Sequence, residues 1–171
     1  MALIKTLNGK TPQIGKGGFV AENATVIGDV VVGKDCTIWY NTVIRGDVNR
    51  IQIGDRVNIQ DLTMVHCTYK TAETCIGNDV SIGHSAIIHG CELQDFTLIG
   101  MGSIVMDGVV VETGAIVAAG AVVTQNTRVE SRKIYAGTPA KEIGEVSDEM
   151  FEKVVKRTAE GYVKFSGWYQ D

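Results

Sequence analysis

Residues 26–43 read VIGDVV VGKDCT IWYNTV, three consecutive groups of six residues that share one pattern. Each group opens on an aliphatic residue and carries a small or β-branched residue four positions later. The aliphatic series runs Val20, Val26, Val32, Ile38, Ile44, Ile53, Ile59, Val65, Ile76, Ile82, Ile88, Leu93, Ile99, Val105, Val111, Val117 and Val123, near which it ends. Slips interrupt the period of six around Asn49–Ile51, in the loop after Val65 and before Leu93. A short, fixed internal period is typical of a stacked repeat protein.

Wherever the period of six is unbroken, the companion position, four residues after the aliphatic one, is neither large nor charged. Its occupants are Ala24, Val30, Cys36, Thr42, Val57, Thr63, Val80, Ala86, Thr97, Ser103, Val109, Ala115 and Ala121. Short β-branched strands cannot bury their inward side alone, but stacked coils align their aliphatic side chains in one continuous column. The pattern therefore predicts an all-β solenoid, a parallel β-helix, because a β-sandwich would show period-two strands and longer turns.

Glycines near the corners of this solenoid are expected to supply the positive φ that a tight turn often needs. The residues concerned are Gly28, Gly33, Gly54, Gly77, Gly83 and Gly100.

A different pattern begins at Ser147, a predicted helix N-cap that is followed by acidic Asp148 and Glu149. Apolar residues then recur at helical spacing, which predicts a helix over about 148–164 that packs on the solenoid or on a neighbouring subunit. We therefore predict a β-helix domain over residues 1–143 and a C-terminal helix and tail over residues 144–171. Whether the aromatic residues of the tail dock is left open.

Composition excludes several classes of function. The chain has 171 residues, a net charge of −4 and charges of both signs interspersed, which favours neither nucleic acid nor an anionic membrane as a partner. The segment Met1–Leu7 lacks the apolar run of a signal peptide, and no stretch is long enough to span a bilayer. A cytoplasmic protein is the expectation. None of the four cysteines lies in a C-x-x-C pair, which argues against a zinc knuckle.

The chain has only three histidines, His66, His84 and His89, and all lie within 24 residues. Three imidazoles and a water form the open site typical of catalytic zinc, which generates hydroxide near neutral pH. Counting groups of six predicts that His66 stacks on His84 and that His89 lies on the next face. One chain then presents its histidines in two directions, so we expect a symmetric trimer with each metal bound between neighbours.

Four segments together resemble the γ-class carbonic anhydrases and their bacterial, short-loop homologues, over about residues 12–143. They are Arg45-Gly46-Asp47, GDRVNIQD at 54–61, His66, and GHSAIIHG at 83–90. The resemblance implies that the β-helix is left-handed and forms a homotrimer. It also implies reversible CO2 hydration, to bicarbonate, by a metal-bound hydroxide at the subunit interfaces.

The resemblance also implies a role for each site residue. His66 and His89 of one subunit and His84 of the next would hold Zn²⁺, with Fe²⁺ or Co²⁺ as alternatives. The other roles are an intersubunit ion pair beside the metal for Arg45 and Asp47, a hydrogen bond to the hydroxide or bicarbonate for Gln60, and orientation of the ligands for Asp61.

Two further features bear on catalysis. Tyr135 opens the closing segment Tyr135–Lys141 and is a further catalytic candidate, although packing at the end of the solenoid is its alternative role. The loop Cys67–Cys75 is short, and its only acid is Glu73, whereas the archaeal prototype carries an acidic insertion with a proton-carrying glutamate. Since general acid–base help contributes roughly 10²–10⁴-fold, hydration is expected to be slow unless Glu73 or Tyr69 carries the proton.

Three alternatives stay open on the sequence. One is a metal-dependent thioesterase or acyltransferase that acts on coenzyme A thioesters, since acyltransferases share this repeat and closing segment. Another is a non-catalytic trimeric scaffold whose metal holds the subunits together. The third concerns regulation: Cys67 and Cys75 flank the loop after His66 and would form a redox switch.

Overall fold

The computed structural model describes residues 1–169, so Gln170 and Asp171, the end of the predicted tail, lie outside the described residues. Within residues 1–169 the chain forms a succession of short strands. They are β1 (Leu3–Lys5), β2 (Gln13–Ile14), β3 (Phe19–Val20), β4 (Thr25–Val32), β5 (Thr37–Ile38), β6 (Val43–Ile53), β7 (Asn58–Ile59), β8 (Met64–His66), β9 (Thr74–Ile76), β10 (Ser81–Ile82), β11 (Ile87–His89), β12 (Glu92–Leu93), β13 (Leu98–Ile99), β14 (Ile104–Val105), β15 (Val110–Val111), β16 (Ile116–Val117), β17 (Val122–Val123), β18 (Arg128–Val129), β19 (Lys133–Gly137) and β20 (Ala140–Glu145).

The strands stack as a left-handed parallel β-helix, as predicted. Each strand pairs in parallel with the strand one coil away, except that β19 and β20 form a closing antiparallel pair. Inside the coils the predicted aliphatic column and its small companions form one buried cluster, in which Val26, Ile44 and Val65 are fully enclosed. Stacking buries an apolar column that no single coil could cover, and this burial is the main source of stability.

The three faces of the prism differ in what their outward side chains offer. The ladder β6–β8–β11–β14–β17, called here the histidine face, presents an aligned apolar row: Val43, Met64, Ile87, Ile104 and Val122. The ladder β6–β9–β12–β15–β18, the polar face, presents a mixed row: Gln52, Cys75, Glu92, Val110 and Arg128. The third ladder, from β3 to β19, is the helix face, against which the C-terminal helix packs.

The corner glycines act differently from the expectation. Only Gly28 of the six has a positive φ. At several other corners the residue with a positive φ is not a glycine; examples are Asp35, Arg56 and Asp79. A Cβ on Gly54 would lie 2.6 Å from the backbone carbonyl oxygen of Gly77 on the next coil. These glycines are therefore required because the coils approach closely there, and the conformational argument was wrong for five of the six.

The repeat also runs further than the sequence pattern indicated. Val129 pairs with Val111 and is fully buried, and Tyr135 pairs with Val117, so the inward column continues for two more positions. The segment between them, Glu130–Arg132, is polar because it belongs to the last coil and faces solvent. This polarity hid the continuation of the period.

The C-terminal helix begins where predicted. The Ser147 side chain accepts a hydrogen bond from the Met150 backbone N–H at 3.1 Å, and α1 (Asp148–Met150) follows. A wider, π-type stretch (Phe151–Lys156), α2 (Arg157–Ser166) and a 3₁₀ turn (Gly167–Tyr169) continue it. Its buried face lies on Ile116 and Val146. Among residues 1–169, no helix combines the length and the apolar character needed to cross a membrane.

Candidate metal centre

His66 and His89 are register partners on the neighbouring strands β8 and β11 of the histidine face. His84 lies two residues after β10, in the other sheet, where the helix face turns a corner. The predicted stacking of His66 on His84 was therefore wrong. The loop Cys67–Cys75 lengthens its coil, so Val65 stacks on Ile88, and the count of groups between Val65 and Ile82 was one too high. The histidines do point in two directions, but His84 is the one set apart.

The two stacked histidines face each other through their inner nitrogens. The distance from His66 Nδ1 to His89 Nε2 is 3.1 Å, and their ring centroids are 5.1 Å apart. Each outer nitrogen contacts a carboxylate: His66 Nε2 lies 2.9 Å from Asp47 Oδ1, and His89 Nδ1 lies 2.5 Å from Asp107 Oδ1. Each imidazole is thus held between its own carboxylate on the outer side and the other imidazole on the inner side.

This arrangement fixes the chemistry of the space between the rings. A carboxylate only accepts hydrogen bonds, so the outer nitrogen of each neutral imidazole carries the proton and the inner nitrogen carries a lone pair. Two facing lone pairs repel unless a proton or a cation lies between them. Two nitrogens bound about 2.0–2.1 Å from a tetrahedral zinc would be roughly 3.3 Å apart, close to the observed separation. His66 and His89 therefore fit two positions of a metal site.

Asp47 is itself held in its charged form. Its second oxygen, Oδ2, forms an ion pair with Arg45 Nη1 of the same chain. Burial opposes ionisation of Asp47, but the hydrogen bonds from His66 and Arg45 outweigh it and lower the pKa of this carboxyl. The structure of one chain thus pairs Arg45 with its own Asp47, and the intersubunit pairing stays a prediction.

Asp107 is a site residue that the sequence reasoning missed. It lies on the turn after β14, and Thr68 donates a hydrogen bond from Oγ1 to its second oxygen, Oδ2, at 2.5 Å. Burial again opposes ionisation, but the hydrogen bonds from Thr68 and His89 lower the pKa of the Asp107 carboxyl. The available signal was the spacing, because Asp107 follows His89 by 18 residues, about one coil of three groups of six.

His84 forms a second, separate group with Asp61. Its Nδ1 lies 2.8 Å from Asp61 Oδ2, which leaves Nε2 available. Gln60, the residue before Asp61, is buried, and its Nε2 donates to Asn58 Oδ1 at 3.0 Å. Asn58 in turn donates from Nδ2 to Ser81 Oγ at 2.7 Å. This chain of hydrogen bonds fixes the orientation of the Gln60 amide.

An aromatic cavity of about 260 Å³ adjoins His84 and Asp61. Its aromatic lining consists of Trp39, Tyr40, Tyr162, Phe165, Trp168 and Tyr169. The Trp39 ring centroid is 5.5 Å from that of Tyr162 and 5.3 Å from that of Tyr169, both in edge-on geometry. The described part of the tail therefore docks at this corner, a point on which the sequence was silent.

The remaining candidates lie elsewhere. Tyr135 takes an inward position three coils beyond Ile82, roughly 14 Å along the stack at about 4.8 Å per coil. It packs against the core and is not brought to the histidines of its own chain. Glu73 and Asp47 line one polar cavity of about 290 Å³, whose lining does not include Tyr69. Glu73 is thus the better placed of the two proposed proton carriers.

One chain does not complete a metal site. Within the described residues 1–169, no three His, Cys, Asp or Glu side chains converge in a way that could hold a metal ion. His66 and His89 supply two nitrogens on one face, and His84 supplies a third on a different corner. The cysteines add no ligand here, because Cys36, Cys67 and Cys91 are buried and Cys75 lies on the polar face.

The chain is similar in sequence to several named proteins, although no protein-family model matches it. It is 46% identical over 162 residues to the mitochondrial gamma carbonic anhydrase 2 of Arabidopsis thaliana, covering 92% of this chain and 58% of that protein. It is 47% identical over 167 residues to protein YrdA of Escherichia coli, covering 94% and 90%. It is 39% identical over 168 residues to a carbonic anhydrase of Geobacillus kaustophilus, covering 98% and 91%. The chain spans little more than half of the plant relatives that it matches.

Solved structures share the whole fold. A Bacillus cereus protein provisionally described as an acetyltransferase superposes with a TM-score of 0.95 at 39% identity, covering 98% of this chain and 96% of that one. A hexapeptide transferase family protein of Anaplasma phagocytophilum superposes with a TM-score of 0.93 at 42% identity, covering 98% of both chains.

Proposed function

The chain belongs to the γ-class carbonic anhydrase family, and on that premise we propose that it is a homotrimeric metalloenzyme that hydrates CO2 reversibly. The proposed sites lie between subunits, each formed by His66 and His89 of one subunit and His84 of the next. The observation that carries the proposal is the pair of facing inner nitrogens, 3.1 Å apart, whose outer nitrogens are both held by carboxylates.

A second copy of the chain is the partner that the histidine face favours. Its outward row is apolar, and Ile87, next to the strand end that carries His89, is 38% exposed. The helix face is already covered, and the polar face carries charged side chains. A symmetric assembly that buries the apolar row would also bring a neighbour's His84 towards the incomplete site. Sharing a metal would then stabilise only the assembled state.

The donor set favours Zn²⁺, with Fe²⁺ or Co²⁺ as alternatives, because three neutral imidazoles are typical ligands of these ions. The bound metal would supply a water whose pKa is lowered to about 7, so that hydroxide is available to attack CO2. The chain's own residues would do the rest. Asp47 holds the His66 imidazole as its Nε2–H tautomer, and the oriented Gln60 amide offers a hydrogen bond to the bicarbonate oxygen atoms.

Thioester chemistry is the second candidate, and the same site would perform it. Thioester chemistry is favoured by the two similar solved structures described above, both at least 39% identical to this chain. One is named as an acetyltransferase and the other as a member of the hexapeptide transferase family. The aromatic cavity beside His84 could contact an acyl group, whereas a molecule as small as CO2 needs no such surface. In this reaction, water or an acceptor would attack the thioester carbonyl at the shared site, the carbon–sulfur bond would break, and coenzyme A would leave as its thiol.

The test is metal analysis of protein purified without chelator, with stopped-flow CO2 hydration and acetyl-coenzyme A hydrolysis measured on the same sample. We expect about one zinc or iron per chain and hydration above that of His66→Ala, which should carry no metal. Metal with thioester hydrolysis but no CO2 hydration would replace the first candidate by the second. Metal with neither activity would leave a scaffold, and no metal after reconstitution would overturn the proposal.

A further inference from the structure

Asp107 stands outside every role assigned above by family resemblance, yet it makes the shorter of the two carboxylate contacts in the histidine pair. Its Oδ1 lies 2.5 Å from His89 Nδ1, and its Oδ2 accepts from Thr68 Oγ1 at 2.5 Å. A single carboxylate therefore joins a histidine on β11 to the loop that follows β8. Both of its oxygens are used, and each by a different segment of the chain.

The backbone next to His89 is shaped to admit this carboxylate. Gly90 has a φ of +55°, and a Cβ at this position would lie 2.6 Å from Asp107 Oδ1. The Gly90 carbonyl oxygen accepts a hydrogen bond from the Gly108 N–H at 2.8 Å, which fixes the turn that carries Asp107. The glycine thus leaves room for the carboxylate while the coils hold it in place.

Thr68 is positioned as firmly as Asp107. Its carbonyl oxygen accepts from Asn49 Nδ2 at 3.2 Å, and its N–H donates to the Ala72 carbonyl oxygen at 3.0 Å within the short loop. The loop after His66 therefore turns back, and its first hydroxyl reaches the carboxylate behind His89. The short loop after His66 is therefore connected to the coil of His89 through the hydrogen bond between Thr68 and Asp107.

We propose that Asp107, held by Thr68, is a positioning residue that sets the tautomer and the ring orientation of His89. The Nδ1–H of His89 donates to Asp107, so Nε2 presents its lone pair to the space that it shares with His66. This inference rests on the proposed function, since a fixed lone pair matters because a metal is bound there. Carboxylates behind ligating histidines typically contribute 10–100-fold to metal affinity or activity.

A purely structural role for Asp107, as a tie between loop and coil, predicts a different result. Such a tie would change the free energy of unfolding, but it would not change which nitrogen of His89 carries the proton. The tautomer is read directly by nitrogen NMR of the full chain with labelled histidine, before any metal is added. This readout is independent of catalysis and of metal loading.

We expect the wild type to give the Nδ1–H tautomer of His89, and Asp107→Ala to lose it. Asp107→Asn, whose amide oxygen still accepts a hydrogen bond, should retain it. In chelator competition, Asp107→Ala should bind Zn²⁺ roughly 10–100-fold more weakly than the wild type, with Asp107→Asn between them. The Co²⁺ absorption spectrum of Asp107→Ala should also shift, because the ligand ring is no longer held.

Thr68→Val keeps the carboxylate and removes only its hydroxyl donor, so it serves if Asp107→Ala does not fold. It should weaken Zn²⁺ binding, Thr68→Ser should restore it, and Thr124→Val, at an exposed threonine of a later coil, should leave it unchanged. Unaltered tautomer and Zn²⁺ affinity in Asp107→Ala, with wild-type binding intact, would overturn this inference alone. A wild type that binds no metal would overturn the proposed function with it.

Discussion

His66 and His89 occupy the same outward position on consecutive coils although 23 residues separate them, and their facing nitrogens are 3.1 Å apart. An uninterrupted coil of three groups would place only about eighteen residues between stacked positions. The loop Cys67–Cys75 accounts for the difference, so the loop itself sets the register that makes the histidine pair. His84 lies on the turn after β10, a strand of the other sheet, so it is set apart from the pair, and this separation leads to the first prediction.

Subunits with complementary lesions should restore each other if the metal is shared. His66→Ala and His84→Ala should each lose metal when alone. After unfolding and refolding together in equal amounts, random trimers should recover about a quarter of the sites, since one subunit supplies His66 and its neighbour supplies His84. Elemental analysis of the mixed trimer checks this. Full metal in His84→Ala alone would contradict a shared site.

The apolar row of the histidine face should control assembly. Ile104→Lys places a charge in this row, between Ile87 and Val122, and should shift sedimentation towards the monomer and reduce bound metal. Val110→Lys is the matched control, because this residue is equally half-buried but lies on the polar face between Glu92 and Arg128. Equal sedimentation of the two variants would count against the histidine face as the interface.

Alanine substitutions at Gly90 and Gly120 should distinguish the effect of backbone strain from the effect of crowding the Asp107 side chain. Gly90 and Gly120 both have a positive φ, +55° and +68°, so the backbone strain of alanine at either should cost about 1–2 kcal/mol of stability, to which Gly90→Ala adds a contact with the Ala72 Cβ at 2.9 Å. Only Gly90→Ala crowds the Asp107 carboxylate, whereas a Cβ on Gly120 meets no atom within 4 Å. We therefore expect weaker Zn²⁺ binding in Gly90→Ala alone, measured by chelator competition. Similar Zn²⁺ affinity in both variants would argue that the space beside Asp107 is unimportant.

The three buried thiols should be unreactive in the native protein, and none of the four cysteines should be in a disulfide. Burial raises the pKa of the Cys36 thiol to about 11 and that of Cys91 to about 12, so both stay neutral at pH 7. Because the thiolate is the reactive form, alkylation should speed up as the pH rises.

Counting the modified thiols checks this. We expect native protein at neutral pH to label on the exposed Cys75, and unfolded protein to label on all four cysteines. Loss of Cys67 and Cys75 together under mild oxidant, with a change in activity, would instead support the redox switch.

The sequence by itself determined the solenoid, the buried column and the identity of the three histidines. A period of six is a local property: each aliphatic residue and its small companion specify one inward position regardless of what lies in the next coil. The N-cap at Ser147 is local in the same way, and the structure forms it as predicted.

Only the tertiary structure decided which residues meet across coils. Three insertions and deletions change coil lengths, and each shifts the stacking partners that lie beyond it; the pairing of His66 with His89 depends on the loop between them. Asp107 and Thr68 meet although 39 residues separate them, and no local pattern marks that contact. The docking of Tyr169 on Trp39 is likewise a contact between distant segments. Local periodicity specifies which side chains point inward, whereas the lengths of the coils specify which residues lie next to each other on neighbouring coils.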